Sequence, residues 1–174
     1  MKQFKTVFFF LLFFAGIATS NAQDSINWIS IDQLEDAIAK EPRPVFIDVY
    51  TSWCGWCKRM DKTTFIDAKI VAYINANYYA VKLDGEDKNT ITYRGQEFKF
   101  VANGRRGYNE LAAGFLQGQL SYPSYVFMNS DYGLLQVIKG YRTQEELLPI
   151  LTFLGKKIYE QQDWDTFMST WDGE

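Results

Sequence analysis

The chain has 174 residues, with 18 basic and 21 acidic side chains for a net charge of −3, two cysteines and no histidine. Without an imidazole there is no Ser-His-Asp triad, no Cys-His pair and no histidine-ligated metal, and the acidic balance argues against nucleic acid, whose binding needs a clustered basic face. At 47% apolar and 22% charged residues the composition is that of a folded chain of one-domain length, so its covalent chemistry falls to Cys54 and Cys57, or to carboxylates and lysines.

Residues 1–22 read as a signal peptide. Lys2 and Lys5 form a basic start, and Thr6 to Ala18 is an apolar run too short for a membrane span of about 20 residues. Ser20 and Ala22 are the small residues expected before a cut at Gln23. The expectation is an exported, periplasmic or secreted, chain whose residues 23–174 form one domain free of the membrane. None of the acidic residues lies in the leader, so the mature chain is more acidic still.

Beyond the leader, strands and helices alternate. Ser30 and Gln33 spell a capping box ahead of Ile31, Leu34, Ala37 and Ile38 at helical spacing, and Pro42 and Pro44 end that helix. Val45 to Tyr50 is a nearly continuous apolar run, as in a strand buried on both faces. The cysteines follow at its carboxyl end, where a helix begins that runs through Met60. A second helical stretch starts at Asp67 and carries Ile70, Val71 and Ile74, and Tyr78 to Asp84 is another strand. Ile91 to Val101 reads as a hairpin turning at Arg94-Gly95, and Asn109 to Leu120 as a helix weakened by Gly114 and Gly118. Tyr125 to Met128 and Leu134 to Ile138 are strands joined by the turn at 129–133. Thr143 with Glu146 opens a last long helix carrying Leu147, Leu151, Leu154 and Ile158, in which Pro149 marks a kink or a later start. Trp164, Phe167 and Trp171 are spaced for a short amphipathic helix packing back on the domain. The alternation implies a single α/β domain.

Cys54-Gly55-Trp56-Cys57 at the strand-to-helix junction concentrates the chemistry. The thiolate is the reactive species, and a helix N-terminus supplies free N–H groups and about half a positive charge to stabilise it. Cys54 is expected at that terminus with its sulfur exposed, and Cys57 one turn on, beneath it. Cys54 would attack a substrate disulfide and Cys57 would resolve the mixed disulfide. Two other readings stand beside this one. A zinc site would need two carboxylates to complete it, since no further Cys or His exists. A permanent structural disulfide would close so short a loop that it adds little stability.

Val45-Phe46-Ile47-Asp48 followed by Trp53-Cys54-Gly55-Trp56-Cys57-Lys58 resembles the active-site strand and helix of the thioredoxin superfamily. Tyr122-Pro123 ahead of the strand Ser124–Met128 is similar to that family's cis-proline loop. Asp48, six residues before Cys54, Lys82 in the next strand and Gly140 after the strand Leu134–Ile138 stand where the family has a buried acid, its lysine and a strand-ending glycine. The resemblance implies a central mixed β-sheet flanked by helices. It implies a thiol–disulfide oxidoreductase acting on protein disulfides, fed by an electron donor that it does not identify, with no cofactor and no metal. It makes Asp48 a proton acceptor for Cys57, with Lys82 either the partner of Asp48 or a lysine at the sheet edge. It makes Pro123, with Tyr122 and Gly55, the ground on which substrate lies.

Trp53 and Trp56 read as an apolar platform around Cys54. Where thioredoxins proper carry Gly-Pro between the cysteines, this chain has Gly-Trp, and where strong oxidants often carry His it has Trp56, which stabilises no charge on sulfur. A redox potential nearer a reductant is expected. The stretch between Lys82 and Pro123 exceeds the family core and holds an insertion that includes the predicted hairpin and Gly104-Arg105-Arg106-Gly107. An inert thioredoxin-like binding module with a fixed Cys54–Cys57 disulfide is the competing function. No segment signals oligomerisation, so a monomer is expected.

Overall fold

The computed structural model describes residues 25–173, so the segment read as a signal peptide lies outside the described residues. The elements in chain order are β1 (Trp28–Ile29), α1 (Leu34–Lys40), β2 (Val45–Tyr50), α2 (Gly55–Lys62), α3 (Ala68–Asn77), β3 (Tyr79–Asp84), β4 (Ile91–Tyr93), β5 (Gln96–Phe98), β6 (Phe100–Asn103), β7 (Arg106–Asn109), α4 (Glu110–Phe115), β8 (Ser124–Met128), β9 (Leu134–Lys139), α5 (Gln144–Gly155) and α6 (Trp164–Thr170). The main sheet has the order β1-β3-β2-β8-β9. β3 runs parallel to both β1 and β2, whereas β8 is antiparallel to β2 and β9.

The apolar run of β2 is explained by its central place. Its alternate residues feed two cores, one on each face of the sheet. Phe46 joins Met60, Ile70, Ile74, Tyr125, Phe127 and Leu151 under α3 and α5. Ile47 and Val49 join Leu34, Ile38, Leu111 and Val126 under α1 and α4. This is the thioredoxin-like fold, a mixed sheet flanked by helices.

Several boundaries differ from the sequence reading, each for a local reason. A single turn of 3₁₀ helix, Ile31–Gln33, precedes α1, and the Gln33 side chain accepts from the Ser30 N–H at 3.0 Å. α5 starts at its capping box, with the Thr143 N–H donating to Glu146 Oε2 at 2.9 Å, and it passes through Pro149 without a later start. It stops at Gly155, because Lys157 takes a left-handed φ of 54° and places Ile158 in a separate 3₁₀ turn. α4 is shorter than expected, since Gln117 and Gly118 both have positive φ and turn the chain away before Leu120. The insertion holds two hairpins rather than one. β4–β5 turns at Arg94-Gly95, both at positive φ, and β6–β7 turns at Gly104-Arg105. No helix among the described residues is long and apolar enough to cross a membrane.

Candidate active site

At the carboxyl end of β2 the chain leaves the sheet and enters α2. Cys54 is the N-cap of that helix: its Sγ accepts from the Cys57 N–H at 3.0 Å, and its own N–H donates to the Thr51 carbonyl at 3.1 Å. An N-cap side chain takes up a backbone donor that the helix cannot satisfy internally. Here that side chain is a sulfur, so the donor that caps the helix is also the group that would stabilise a thiolate at Cys54. In the structure the two cysteines are joined by a disulfide. The expected exposed sulfur is corrected: Cys54 is only 4% exposed, about as buried as Cys57, to which its sulfur is bonded at the helix end. The surface is open at the next residue, where a Cβ added to Gly55 would meet nothing within 4 Å.

The two tryptophans flank this opening. Trp53 and Trp56 are 45% and 57% exposed. The Trp53 ring stands edge-on to Tyr122 with centroids 6.0 Å apart, and the Arg106 guanidinium lies 3.8 Å over it. Trp56 leans on Tyr141 at 5.4 Å, with Arg59 within 6 Å of both rings. The Tyr122–Pro123 bond is cis. Pairing of Val49 with Ser124 brings Pro123 level with the end of β2, beside the cysteine loop. Tyr122 is seated on Gly85, where an added Cβ would come within 2.5 Å of its hydroxyl oxygen. Burial pushes that phenol up to about 12, with Glu86 and Asp84 adding to the effect. Trp53, Arg106, Tyr108, Leu120 and Tyr122 enclose a cleft of about 350 Å³, with Glu86 on one wall.

Beneath the cysteines, the register places three side chains abreast on one face. Asp48 of β2 is opposite Lys82 of β3 and Tyr125 of β8, and directly opposed residues share a face. Asp48 is 1% exposed, a costly place for a charge. Its Oδ2 is 3.2 Å from the Lys82 ammonium, and its Oδ1 is buried without a hydrogen-bond partner. Burial raises the Asp48 pKa from 3.8 to about 6, and Lys82 opposes the rise. Burial alone would lower the Lys82 pKa, but Asp48 and Asp61 outweigh it and raise it. Lys82 is therefore the partner of Asp48 and not a free edge residue, and it stays cationic.

One contributor is absent from the sequence reading, and another is named there without the residue it meets. Asp61 binds the far side of the Lys82 ammonium. It lies four residues after Cys57 on α2, so helical spacing alone puts it on the Cys57 face, a signal that was there to be used. Arg106 reaches Trp53 from a hairpin more than fifty residues away, and no local pattern announces that. Among the described residues no group of three or more Cys, Asp or Glu is placed to hold a metal.

A family model for DsbH-type thioredoxins, described as "Protein of unknown function, DUF255", matches residues 17–139. The thiol:disulfide interchange protein DsbD of Campylobacter jejuni (strain RM1221) is 33% identical over 77 residues, which are 44% of this chain and 13% of that protein. The chain thus spans about an eighth of the length of this curated relative. Among solved structures, a thioredoxin-fold protein from Helicobacter pylori aligns with a TM-score of 0.56 at 15% identity, over 86% of this chain and 88% of that one. A putative disulphide-isomerase from Bacteroides thetaiotaomicron aligns with a TM-score of 0.55 at 23% identity, over 80% and 98%. These two likenesses establish the fold.

Proposed function

The chain belongs to the thioredoxin-like DsbH family, and from that premise we propose that it is an exported thiol–disulfide oxidoreductase that reduces disulfides in protein substrates. The observation that carries this reading is the disulfide itself, formed by an N-cap cysteine whose sulfur already accepts the Cys57 N–H. In the reduced state that hydrogen bond favours the thiolate of Cys54. Cys54 attacks one sulfur of the substrate disulfide, and the other leaves as a thiolate. Cys57 then loses its proton to Asp48 and attacks Cys54, releasing the second substrate thiolate and closing the Cys54–Cys57 disulfide. Two electrons pass to the substrate, and a dithiol donor must return them. Lys82 holds Asp48 in place, and Trp53, Trp56, Gly55, Tyr122 and Pro123 form the surface on which an extended substrate segment lies.

Variants at the two cysteines test the order of events. Cys54→Ser abolishes reduction of insulin by dithiothreitol-charged protein, whereas Cys57→Ser accumulates mixed disulfides visible on non-reducing gels. Full activity in Cys54→Ser ends the proposal. With Trp56 between the cysteines and no imidazole to stabilise the thiolate further, equilibration with glutathione gives a potential on the reducing side of the family. A value near −120 mV, at the strong-oxidant end of the scale, contradicts the assigned direction.

The burial of both cysteines favours a second reading, a binding module with an inert disulfide. It predicts an unchanged redox state across glutathione buffers and no trapped adducts.

A further inference from the structure

Lys82 is shared. Its ammonium sits 3.2 Å from Asp48 Oδ2 on the buried side and bonds Asp61 Oδ1 on the solvent side, the two carboxylate side chains being 2% and 43% exposed. The rings of Trp28, Tyr50 and Phe65, each with its centroid between 5.0 and 5.6 Å from the ammonium, flank it. An ammonium has three donors; one is drawn to Asp61 on the solvent side, and the cation meets Asp48 on its Oδ2 side. At the buried end, Asp48 keeps one oxygen against the cation and one, Oδ1, with no partner.

We propose that Asp61 is a positioning residue, which by sharing the Lys82 ammonium confines that cation to one oxygen of Asp48 and leaves Oδ1 free to receive the Cys57 proton. The inference rests on the redox reading above for its purpose, but its geometry is independent of any substrate. The titratable and charged side chains facing Asp48 are Lys82 from β3, Asp61 from α2, Tyr50 on its own strand and Tyr125 from β8. Burial holds both phenols above their ordinary range, so near neutrality only Lys82 and Asp61 bring charge to bear. The proton balance closes: the S–H bond of Cys57 breaks, the O–H bond forms at Asp48 Oδ1, and the thiolate displaces the substrate sulfur from Cys54. If Lys82 bonded both oxygens, the carboxylate would be stabilised as an anion and would be the weaker base.

The test reads Asp48 directly, by infrared difference absorption of its protonated carboxyl in the oxidised protein, with Asp48→Asn as the blank. The midpoint in the unmodified chain is expected at about pH 6. In Asp61→Asn it moves down by about 1 pH unit, the lower end of the shift that a close opposite charge produces, and Asp61→Glu restores it. In a Lys82→Met background, Asp61→Asn moves the midpoint by clearly less, because only the direct repulsion between the two carboxylates remains. A midpoint that stays or rises in Asp61→Asn overturns the proposal. So does an equal displacement with and without Lys82, which would show Asp61 acting by its own field. No substrate enters this titration, so loss of insulin reduction would count against the redox reading alone.

Discussion

Asp48 shows how far one side chain can set the behaviour of the site. The group keeps its proton in the folded chain up to about pH 6, because burial penalises the charge more than Lys82 relieves it, whereas the unfolded chain releases that proton near 3.8. Below pH 4 both states are protonated and Asp48 exacts no penalty. As the pH rises from 4 through 6, the unfolded state ionises first, and folding stability falls by about 3 kcal/mol for a difference of some two pH units. Asp48→Asn is therefore expected to match the parent chain in urea unfolding at pH 4 and to exceed it by roughly that amount at pH 7. The same variant should resolve mixed disulfides more slowly, since it has no carboxylate to take the Cys57 proton. Equal stability at pH 7 would mean that Asp48 ionises in the folded chain with no penalty.

Among the elements, the insertion hairpin β6–β7 is the one that reaches the site. Gly107 lets its two strands meet, for a Cβ there would lie 2.1 Å from the Phe100 ring and 2.4 Å from the Val101 carbonyl oxygen. Gly107→Ala should cost about 1–3 kcal/mol through overpacking, measured by chemical denaturation. Arg106 opens β7 of this hairpin, and the Trp53 ring beneath it loses a lid in Arg106→Ala. That change should cost only about 0.5–1 kcal/mol, as exposed cation–π contacts do, while raising KM for protein disulfides more than it lowers kcat. The sequence marked this hairpin as part of an insertion holding Gly104-Arg105-Arg106-Gly107, either a partner-binding edge near the cis-proline loop or a solvated elaboration. Its glycines and arginines fit a solvated turn equally well, and the partner that gives them meaning is Trp53, distant in the chain. The strand carrying Asp48 and the helix carrying Cys57 were legible, because hydrophobic period and a capping position are local properties.

Across the whole molecule, the aromatic C-terminus closes one of the two cores. Phe167 of α6 lies 5.3 Å from Phe153 of α5 and 5.2 Å from Trp171, with Trp164 against both phenylalanines. Phe167 is 6% exposed, and Phe167→Ala should lower stability by about 3–5 kcal/mol in urea unfolding, the usual cost of emptying an aromatic core site. Its spacing with Trp164 and Trp171 made this packing readable in advance. What could not be settled in advance were facts of register, Lys82 being read as either the partner of Asp48 or a lysine at the sheet edge. That Lys82 and Tyr125 both stand beside Asp48 depends on which residues of β2, β3 and β8 pair, and a one-residue slip would turn each to the other face. The role of Asp61 follows only once that register is known.

The chain contains no imidazole, and imidazoles supply most of the buffering of an ordinary protein between pH 5 and 8. With its cysteines bonded, the oxidised protein has few groups that titrate in that interval, its α-amino terminus among them, and the buried carboxyl at about 6 falls inside it. Plain potentiometry on the bulk protein, comparing the parent chain with Asp48→Asn, should resolve the uptake of a single proton there.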